Sequence, residues 1–464
     1  MRNVETIIIG GGISGATALH RLASAGSDVV LLERENSLGG AMRSHRTESG
    51  ALIERGPNTV QSGNDYVERL LRELNLEDQI VEADKRAANR YVVRDGKLVS
   101  VPGNPKSLIE SALFSGRAKL RLLREPFIRG AAPEIEESVA DFVRRRLGRE
   151  PLDYGVNPFV AGIYAGDPER LSLRHAFPVL HDLEQTYGSL IKGGIRKMKE
   201  RKKAAGNTAP GTRGPRRRMF SLRDGIAALP GAIADRWPDN VHTGCSVTSL
   251  RPEGEEWSVS VSSSEGDREF RAGQLILATS APVAADLTDG FDAELARVLR
   301  SIEYPPVAVI SMTCTASDVE HPLDGFGVLC PQVEGRQVLG IIFTSSIFPE
   351  RTPEGSVLLT VFVGGARQPE LPALPREQLS AIVEKELQDL LGIRSGLQTL
   401  DITVWKQAIP QYNRGYGDIL DGLRAAEHRH AGLHLLGNYR DGISVPDCIK
   451  SGWRMGEKLV REQQ

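Results

Sequence analysis

Residues 6–40 read TIIIGGGISGATALHRLASAGSDVVLLERENSLGG, and this stretch decides the fold. A β-branched run, Thr6–Ile9, leads into a glycine turn at 10–15 that fits the pattern G-x-G-x-x-G. An Ala- and Leu-rich helical segment follows, and then an apolar strand at 29–32 that ends in Glu33. This order and spacing predict a strand–turn–helix–strand unit that binds the pyrophosphate of a dinucleotide.

Each conspicuous residue of this unit has a distinct physical role. Gly10 permits the tight turn, Gly12 lets the backbone approach the pyrophosphate, and Gly15 lets the helix pack closely on the strand. The helix N-terminus faces the phosphate charge, and Glu33 can accept hydrogen bonds from an adenosine ribose. An N-terminal signal peptide is the competing interpretation of the basic start and apolar run. The glycine turn and Glu33 explain the same residues better.

A glycine pair, Gly39-Gly40, follows Glu33 by six residues. A nicotinamide enzyme has no need of a glycine pair at this place. The extended pattern resembles FAD-dependent oxidoreductases of the amine-oxidase type, in which the backbone beside the pair lies along the cofactor. An ordinary Gly-Gly turn is the alternative.

Composition is typical of a large enzyme of two or three domains. The 464 residues are 40% hydrophobic and 25% charged with a net charge of -2, so nothing points to nucleic acid. The uncharged stretches fall short of the roughly 18–20 apolar residues of a membrane-spanning helix. The four cysteines have no metal-ligand spacing and suggest a reduced compartment, so we predict no metal site and no disulfide framework.

The chain predicts a mixed α/β fold with interleaved segments. Residues 91–101 form a hairpin around Arg94-Asp95-Gly96, and apolar spacings of three and four make 106–203 helical. From Met219 we expect a turn and a helix, then a β-meander, further strands and a final strand–glycine turn–helix unit. We predict three domains: a Rossmann-like cofactor domain (1–85, 219–300 and 401–464), a mixed-sheet substrate domain (86–105 and 301–400) and a helical insertion (106–218).

The insertion ends in a predicted mobile basic loop, 204–218, preceded by a lysine- and arginine-rich helix from Lys192 to Lys203. A solvated helix face is one interpretation of these charges. Attraction to an anionic membrane surface or an anionic substrate is the other.

Over essentially its whole length the chain resembles the oxygen-dependent, FAD-containing protoporphyrinogen oxidases. Besides the amino-terminal unit, the motifs that carry the resemblance are ERGPNT (54–59), NPFVAGIYAGDPERLS (157–172), GFGVLCP (325–331), IFTSSIFPER (342–351), TVFVGG (360–365) and LLGNYRDGISVPDCIKSG (435–452). The AGIYAGDP segment and the GFGVL, FPER and FVGG series are the most specific.

The resemblance implies a substrate site. Arg90 matches an arginine that pairs with a substrate propionate, which a planar guanidinium can bind bidentately; Arg94 is the nearby competitor, and a surface arginine is the plain alternative. The residues implied to enclose one pyrrole ring are Leu329, Ile342 and Phe362, which on pattern alone are core strand residues. The glycines implied to line the pocket are Gly162 and Gly166. The chain departs from the family at Tyr164 and Ala165, where a further glycine is expected at 165.

The resemblance also implies a non-covalent FAD site. The implied contacts are Gly10, Gly12, Gly15, Glu33, Arg34, Gly39, Gly40, Arg43, Gly56, Pro57, Val247, Trp405, Gly437, Asn438, Gly442, Ile443 and Val445. A core tryptophan is the alternative for Trp405.

The implied reaction is the six-electron oxidation of protoporphyrinogen IX to protoporphyrin IX in haem biosynthesis, by three hydride transfers to FAD with hydrogen peroxide released. Because the cofactor carries the redox step, we predict no catalytic side chain. Implied partners are the porphyrinogen, molecular oxygen, a membrane surface, a tetrapyrrole chelatase that takes over the product, and a second copy in a homodimer. The expected location is cytoplasmic, peripheral on the inner face of the cell membrane. Coproporphyrinogen III oxidation, another amine oxidase or desaturase, and a non-catalytic flavoprotein are the alternatives.

Overall fold

The computed structural model describes residues 2–132, 134–206 and 218–463. Most of the predicted loop 204–218 lies outside these ranges. The chain forms two large sheets, two small ones and a helical insertion, so the predicted mixed α/β fold is confirmed.

The first sheet is mainly parallel and has the order β10-β2-β1-β13-β12-β11, with β19 paired to β13. Its strands are β1 (Arg2–Ile9), β2 (Val29–Leu32), β10 (Val241–His242), β11 (Ser246–Glu253), β12 (Glu256–Ser262), β13 (Arg268–Leu277) and β19 (Leu433–Leu435). Ile7 and Ile9 belong to one core cluster and Ile8 to another. The sheet is therefore covered on both faces, which explains the uninterrupted apolar run of β1.

The second sheet is mainly antiparallel and has the order β18-β14-β17-β16-β15-β7-β8. Its strands are β7 (Asn89–Arg94), β8 (Lys97–Ser100), β14 (Val307–Thr315), β15 (Gly325–Leu329), β16 (Gly340–Ile342), β17 (Ser356–Gly364) and β18 (Gln398–Trp405). The predicted hairpin is β7–β8. β18 crosses the boundary that we predict between residues 400 and 401, and the division into three domains stays a prediction.

Two small sheets connect the segments. Their strands are β3 (Ser44–Arg46) with β4 (Leu52–Glu54), and β5 (Val60–Gln61) with β6 (Ile80–Glu82) and β9 (Met219–Leu222). We expected a turn at Met219. A strand forms there because Met219–Leu222 pairs with both β5 and β6, which come from the amino-terminal segment.

Helices cover both large sheets. Outside the insertion they are α1 (Ile13–Ala23), α2 (Asp65–Glu73), α11 (Ala228–Arg236), α12 (Ala281–Thr288), α13 (Ala293–Arg300), α14 (Thr344–Ile347), α15 (Arg376–Leu391), α16 (Tyr416–Arg429) and α17 (Val445–Gln463). α1 and α17 pack side by side at Gly452, where any side chain would overlap the carbonyl oxygen of Ser14. Leu379, Val383 and Leu387 of α15 cover one face of the second sheet.

The insertion consists of short helices and their connections. They are α3 (Pro105–Glu110), α4 (Gly116–Leu122), α5 (Val139–Arg146), α6 (Arg149–Pro151), a π-helical turn (Leu152–Val156), α7 (Asn157–Tyr164), α8 (Leu173–Ala176), α9 (Pro178–Tyr187) and α10 (Leu190–Gly206). Within the described ranges, no helix is both long enough and apolar enough to cross a membrane.

Charged side chains lie at the centre of this insertion. Arg146 is fully buried and forms ion pairs with Glu125, at 3.0 Å, and with Glu184. It also donates to the carbonyl oxygens of Ile128 and Gly188. Glu125 in turn accepts from the Leu190 backbone N–H at 2.9 Å, at the start of α10. We call Glu125, Arg146 and Glu184 the buried ion cluster.

The outer surface of the insertion is unusually apolar. Of the fourteen large hydrophobic side chains exposed among the described residues, eleven lie between 109 and 198. They are Ile109, Leu120, Leu123, Phe127, Ile135, Phe159, Ile163, Val179, Ile191, Ile195 and Met198. Lys192 lies next to them, with its Nζ 5.8 Å from the ring centre of Phe127.

Candidate active site

The glycine turn between β1 and α1 has no room for side chains on its inner side. Gly10 has a φ of +106°, and a Cβ there would lie 2.8 Å from the carbonyl oxygen of Ala278. A Cβ on Gly15 would overlap the Gly10 carbonyl oxygen, whereas one on Gly12 would meet nothing within 4 Å. Among the residues that the structure describes, no side chain caps α1 at Gly12, and its first turn carries no acid. Open space and free N–H groups at a helix N-terminus fit a pyrophosphate.

Glu33 lies at the side of this turn. Its Oε2 accepts a hydrogen bond from the Gly11 N–H at 2.6 Å, and its backbone oxygen accepts from Cys245 at 2.9 Å. Val247, two residues further along β11, is half-buried against the core. The predicted adenosine contacts, Glu33 and Val247, therefore lie in neighbouring segments.

The glycine pair packs directly on the glycine turn. The Gly39 N–H donates to the Gly11 carbonyl at 2.8 Å, and a Cβ on Gly40 would lie 3.2 Å from the Cα of Gly12. Both residues have positive φ, +127° and +60°. The pair therefore turns the chain, with Met42 N–H donating to the Gly39 carbonyl at 3.0 Å, and also lets its backbone approach the glycine turn.

Two predicted arginines lie near this pair with different surroundings. Arg43 donates from Nε to the Gly40 carbonyl at 3.0 Å, and its guanidinium carbon lies 5.4 Å from the ring centre of Trp405. Both arginines pair with Glu35 at 3.6 Å, but Arg34 is the more exposed of the two, at 68% against 44% of the side chain. Arg43 is thus in the site region, whereas Arg34 lies at its rim.

The segment Arg55–Pro57, here called the strip, connects the two sheets. The Arg55 N–H donates to the Arg43 carbonyl at 2.8 Å, and a side chain on Gly56 would overlap the Ala41 carbonyl. On its other side, Arg55 bonds to Asp401 and accepts a hydrogen bond from Trp405. The predicted cofactor residues Gly56, Pro57 and Trp405 therefore belong to one region.

The carboxy-terminal motif is held by a tyrosine. The Tyr412 hydroxyl donates to the Asn438 carbonyl and accepts from the Gly442 N–H at 3.1 Å. Burial raises the pKa of Tyr412, so its hydroxyl stays protonated and can donate. Gly437 and Gly442 have φ of +158° and +121°. Ile443 and Val445 follow directly, at the start of α17.

Three predicted substrate residues share one face of the second sheet. Gly340 of β16 lies opposite Leu329 of β15 and opposite Phe362 of β17, and Ile342 occupies the next row. Directly opposite residues of an antiparallel pair point to the same face. Leu329, Ile342 and Phe362 are half-buried on this face, whereas Val328, Ile341 and Val361 are buried on the other. We call Leu329, Gly340, Ile342 and Phe362 the slot face.

The two pocket glycines differ in their positions. A Cβ on Gly162 would lie 2.7 Å from Leu329 Cδ2, so α7 touches the slot face. Gly166 packs instead on Gln411 and Leu171. Ala165, the departure from the family, adopts the left-handed conformation with φ +48°, which a glycine would adopt without strain.

Arg90 lies on the same side of the sheet as the slot face. Val92 of β7 pairs in parallel with Leu329, and Arg90 shares the face of Val92 because side chains alternate along a strand. Its guanidinium carbon lies 5.5 Å from the ring centre of Phe326, which packs in one cluster with Ile342.

Arg94, the competitor, is already neutralised. It pairs with Glu150 at 3.3 Å and with Asp95 at 3.7 Å, and it donates to the Leu113 carbonyl. Among the described residues, no carboxylate lies within 4 Å of the Arg90 nitrogens. The geometry therefore favours Arg90 as the cation available to a ligand.

Some residues of this region gave no signal in the sequence. Asp401 is one position of an ordinary alternating strand, and Tyr412 follows a proline in a loop. Arg351 closes the FPER motif that carries the resemblance, but the sequence does not indicate its burial against Glu54 at 3.1 Å. Their importance depends on contacts between distant segments, which a single sequence does not display.

Comparisons with known proteins identify the family of the chain. The profile of the family described as flavin containing amine oxidoreductase matches residues 11–459. Protoporphyrinogen oxidase 2 of Arabidopsis thaliana is 33% identical over 98% of this chain and 93% of its own. Human protoporphyrinogen oxidase is 33% identical over 96% of each chain.

Solved structures share the fold. A crystal structure from an Exiguobacterium species has a TM-score of 0.81 at 20% identity, covering 100% of this chain and 99% of its own. Reduced UDP-galactopyranose mutase has a TM-score of 0.75 at 16% identity, covering 99% and 96%. The glycine turn, the glycine pair and the strip fit FAD as cofactor. The chain belongs to the flavin containing amine oxidoreductase family and is an FAD-dependent oxidoreductase.

Proposed function

We propose that this protein oxidises protoporphyrinogen IX to protoporphyrin IX with molecular oxygen. The observation that carries the proposal is the slot face, a half-buried apolar surface on the same side of one sheet as Arg90 and Trp405. A tetrapyrrole has flat apolar faces and carboxylates at its edge, so an apolar wall with a free guanidinium at one end suits it. The named activity of the two relatives supports the same choice.

In this mechanism the protein binds and orients. Arg90 binds one propionate, for which a charge-assisted hydrogen bond contributes about 1.5–3 kcal/mol. Leu329, Ile342 and Phe362 hold one ring and exclude water from it. The redox chemistry, hydride acceptance from the macrocycle and return of the electrons to oxygen, would be supplied by bound FAD.

The cofactor would be held by backbone groups and a few side chains. The free N–H groups of α1 bind the pyrophosphate, and Glu33 binds the ribose. The strip and the loop tied by Tyr412 form the surface for the flavin ring. These assignments, with the remaining cofactor residues of the sequence analysis, rest on the family resemblance, and the contacts described above support those made to the glycine turn, Glu33, the strip and the loop at Tyr412.

The insertion would place the protein on an anionic membrane surface, at the inner face of the cell membrane. Its exposed apolar side chains stand among cations such as Arg124 and Lys192. Apolar side chains with interspersed cations are typical of interfacial binding. Transfer of the product to a chelatase and assembly into a homodimer rest on the family resemblance alone.

Anaerobic mixing with protoporphyrinogen IX tests the reaction, because loss of the flavin's yellow absorption reports its reduction. We expect rapid bleaching, and reoxidation when oxygen is admitted. A strong preference for coproporphyrinogen III in the same assay would replace the substrate. Flavin that stays oxidised with every porphyrinogen would leave another amine oxidase or desaturase, or a non-catalytic flavoprotein.

Arg90→Ala tests the propionate contact. We expect KM to rise about 10- to 100-fold, which corresponds to the loss of one charge-assisted hydrogen bond. Arg86→Ala is the matched control, because Arg86 is exposed and pairs only with Asp84 in the described structure. An unchanged KM in the Arg90 variant would remove Arg90 from the site.

A further inference from the structure

The strip is fixed to the cofactor side of the molecule by backbone contacts. Arg55 donates its N–H to Arg43, and Gly56 has no space for a side chain because the Ala41 carbonyl lies against it. The segment that contains Arg43 begins with the glycine pair, which packs on the glycine turn. Three consecutive layers of backbone therefore connect the strip to the dinucleotide site.

The strip is fixed to the second sheet by side chains of a single strand. Arg55 Nε and Nη2 lie 3.1 and 3.2 Å from the two carboxylate oxygens of Asp401, a two-point geometry that fixes orientation. Trp405 Nε1 donates to the Arg55 carbonyl at 2.6 Å. Thr403 donates to Asp401 at 2.8 Å and orients its carboxylate.

The same strand continues into the slot face. Thr403 lies opposite Val309, which lies opposite Phe362, and Phe362 lies opposite Gly340. Trp405 and Phe362 also pack against one apolar cluster. Hydrogen-bonded strands thus connect the residues that hold the strip with the slot face, which is proposed to hold the substrate.

A second buried contact joins the same two parts. Arg351 lies against Glu54, the residue before the strip, and donates to Ser221. Burial raises the pKa of Glu54 and lowers that of Arg351. Removing these two charges from water therefore costs free energy. Such a pair contributes little net stability, and its geometry favours a role in alignment.

We infer that Arg55, Asp401 and Trp405 are positioning residues that set the location of the flavin ring relative to the slot face. The inference rests on the proposed function. Hydride transfer requires close approach of two atoms, and a displacement of about 1 Å can cost about 100-fold in rate. Because the strip touches both sides, weakening its attachment at Asp401 displaces the two reactants without removing a side chain assigned to either. Trp405→Phe keeps the aromatic ring that the resemblance places at FAD and removes only the hydrogen bond to the strip.

The test uses the full-length FAD-loaded protein and the variants Asp401→Asn and Trp405→Phe. Asp401→Asn keeps the shape but removes the charge, and Trp405→Phe removes the donor while keeping an aromatic ring. We expect kcat to fall about 10- to 100-fold with KM within about twofold. We also expect a shifted visible absorption band of the bound flavin, with unchanged FAD content.

Thr399→Val is the matched control. Thr399 lies on the same strand, and its hydroxyl contacts Ser380 and Met312 instead of the strip. The control should retain wild-type kcat and spectrum. A kcat within twofold in both test variants, with an unshifted flavin band, would overturn the inference.

Two further outcomes separate the possible failures. Loss of FAD and of Tm in proportion to kcat would show a merely structural role and overturn the inference. A wild-type protein that oxidises no porphyrinogen would refute the proposed function. The flavin band then decides the inference by itself: a shift in the variants supports it, and its constancy overturns it. Should Asp401→Asn fail to fold, Trp405→Phe carries the same test.

Discussion

The first sheet and the helical insertion place charge and apolar surface in opposite ways. The first sheet buries Ile7–Ile9 and Val29–Leu32 between two apolar layers. The insertion buries the ion cluster of Glu125, Arg146 and Glu184, and it leaves Phe127 87% exposed. The sheet is therefore covered by apolar layers on both faces, whereas the insertion keeps charged side chains inside and exposes apolar ones.

The largest expected effect concerns the close packing of α1 on β1 in the first sheet. Gly15→Val forces a branched side chain into the Gly10 carbonyl, so we expect purified protein without FAD, seen as an absent visible flavin spectrum. Gly194→Ala in α10 is the control, because a Cβ there meets nothing within 4 Å. Retention of FAD by Gly15→Val would show that the close packing of β1 and α1 is dispensable.

The second effect concerns the buried ion cluster. Arg146→Met leaves Glu125 and Glu184 buried with fewer partners, and breaking a buried pair in this way costs about 3–5 kcal/mol. Urea unfolding of both proteins measures this loss. Arg149→Met is the control, because Arg149 is exposed and its pair with Asp153 contributes less than about 1 kcal/mol. A loss below 1 kcal/mol for Arg146→Met would mean that the cluster is not needed to hold the insertion together.

The third effect is the pH dependence of stability that arises in the first sheet. His434 of β19 is buried beside Gln274, and burial lowers its pKa from 6.5 to about 4. As the pH falls, the unfolded chain binds the proton before the folded chain does. The free energy of unfolding contributed by neutral His434 is therefore complete above pH 6.5 and is lost as the pH falls toward 4. Between pH 7 and pH 5 the wild type should lose about 2 kcal/mol more than His434→Gln in urea unfolding. Equal losses in the two proteins would contradict the assignment to His434.

The smallest effect concerns the apolar surface of the insertion. Phe127→Asp should weaken binding to vesicles of anionic phospholipid about 10-fold or more, because a buried aromatic side chain contributes about 1.5–3 kcal/mol. Co-sedimentation with the vesicles measures this binding. Val333→Asp is the control, since Val333 is exposed but lies outside the insertion. Equal loss in both variants would indicate a general charge effect.

The glycine turn and the strands could be predicted from the sequence because local rules govern them. Gly10, Gly12 and Gly15 stand at fixed offsets within one strand–turn–helix unit, and the hairpin at 91–101 carries its own turn signal. The assignment of Leu329, Ile342 and Phe362 to a substrate site rests on the resemblance and stays a prediction, since these residues alternate like any strand residues.

The remaining features depend on contacts between distant segments. Arg90 and Arg94 are equivalent in the sequence, and Glu150, which lies 56 residues beyond Arg94, distinguishes them. Arg55 pairs with Asp401, which lies 346 residues further along the chain. The strand at Met219 exists only because β5 and β6 flank it. No local pattern contains these partners.

Gly340 has a consequence for how the protein can change. It stands between Leu329 and Phe362, and a Cβ there would lie 2.7 Å from the Val328 carbonyl oxygen, which belongs to the backbone of the adjacent strand. A side chain at Gly340 would therefore have to shift the adjacent strand before it could narrow the space between Leu329 and Phe362. Smaller residues in place of Leu329 or Phe362 would enlarge this space without moving a strand. Under the proposed function, selection for a bulkier substrate would accordingly act at the flanking positions and not at the glycine.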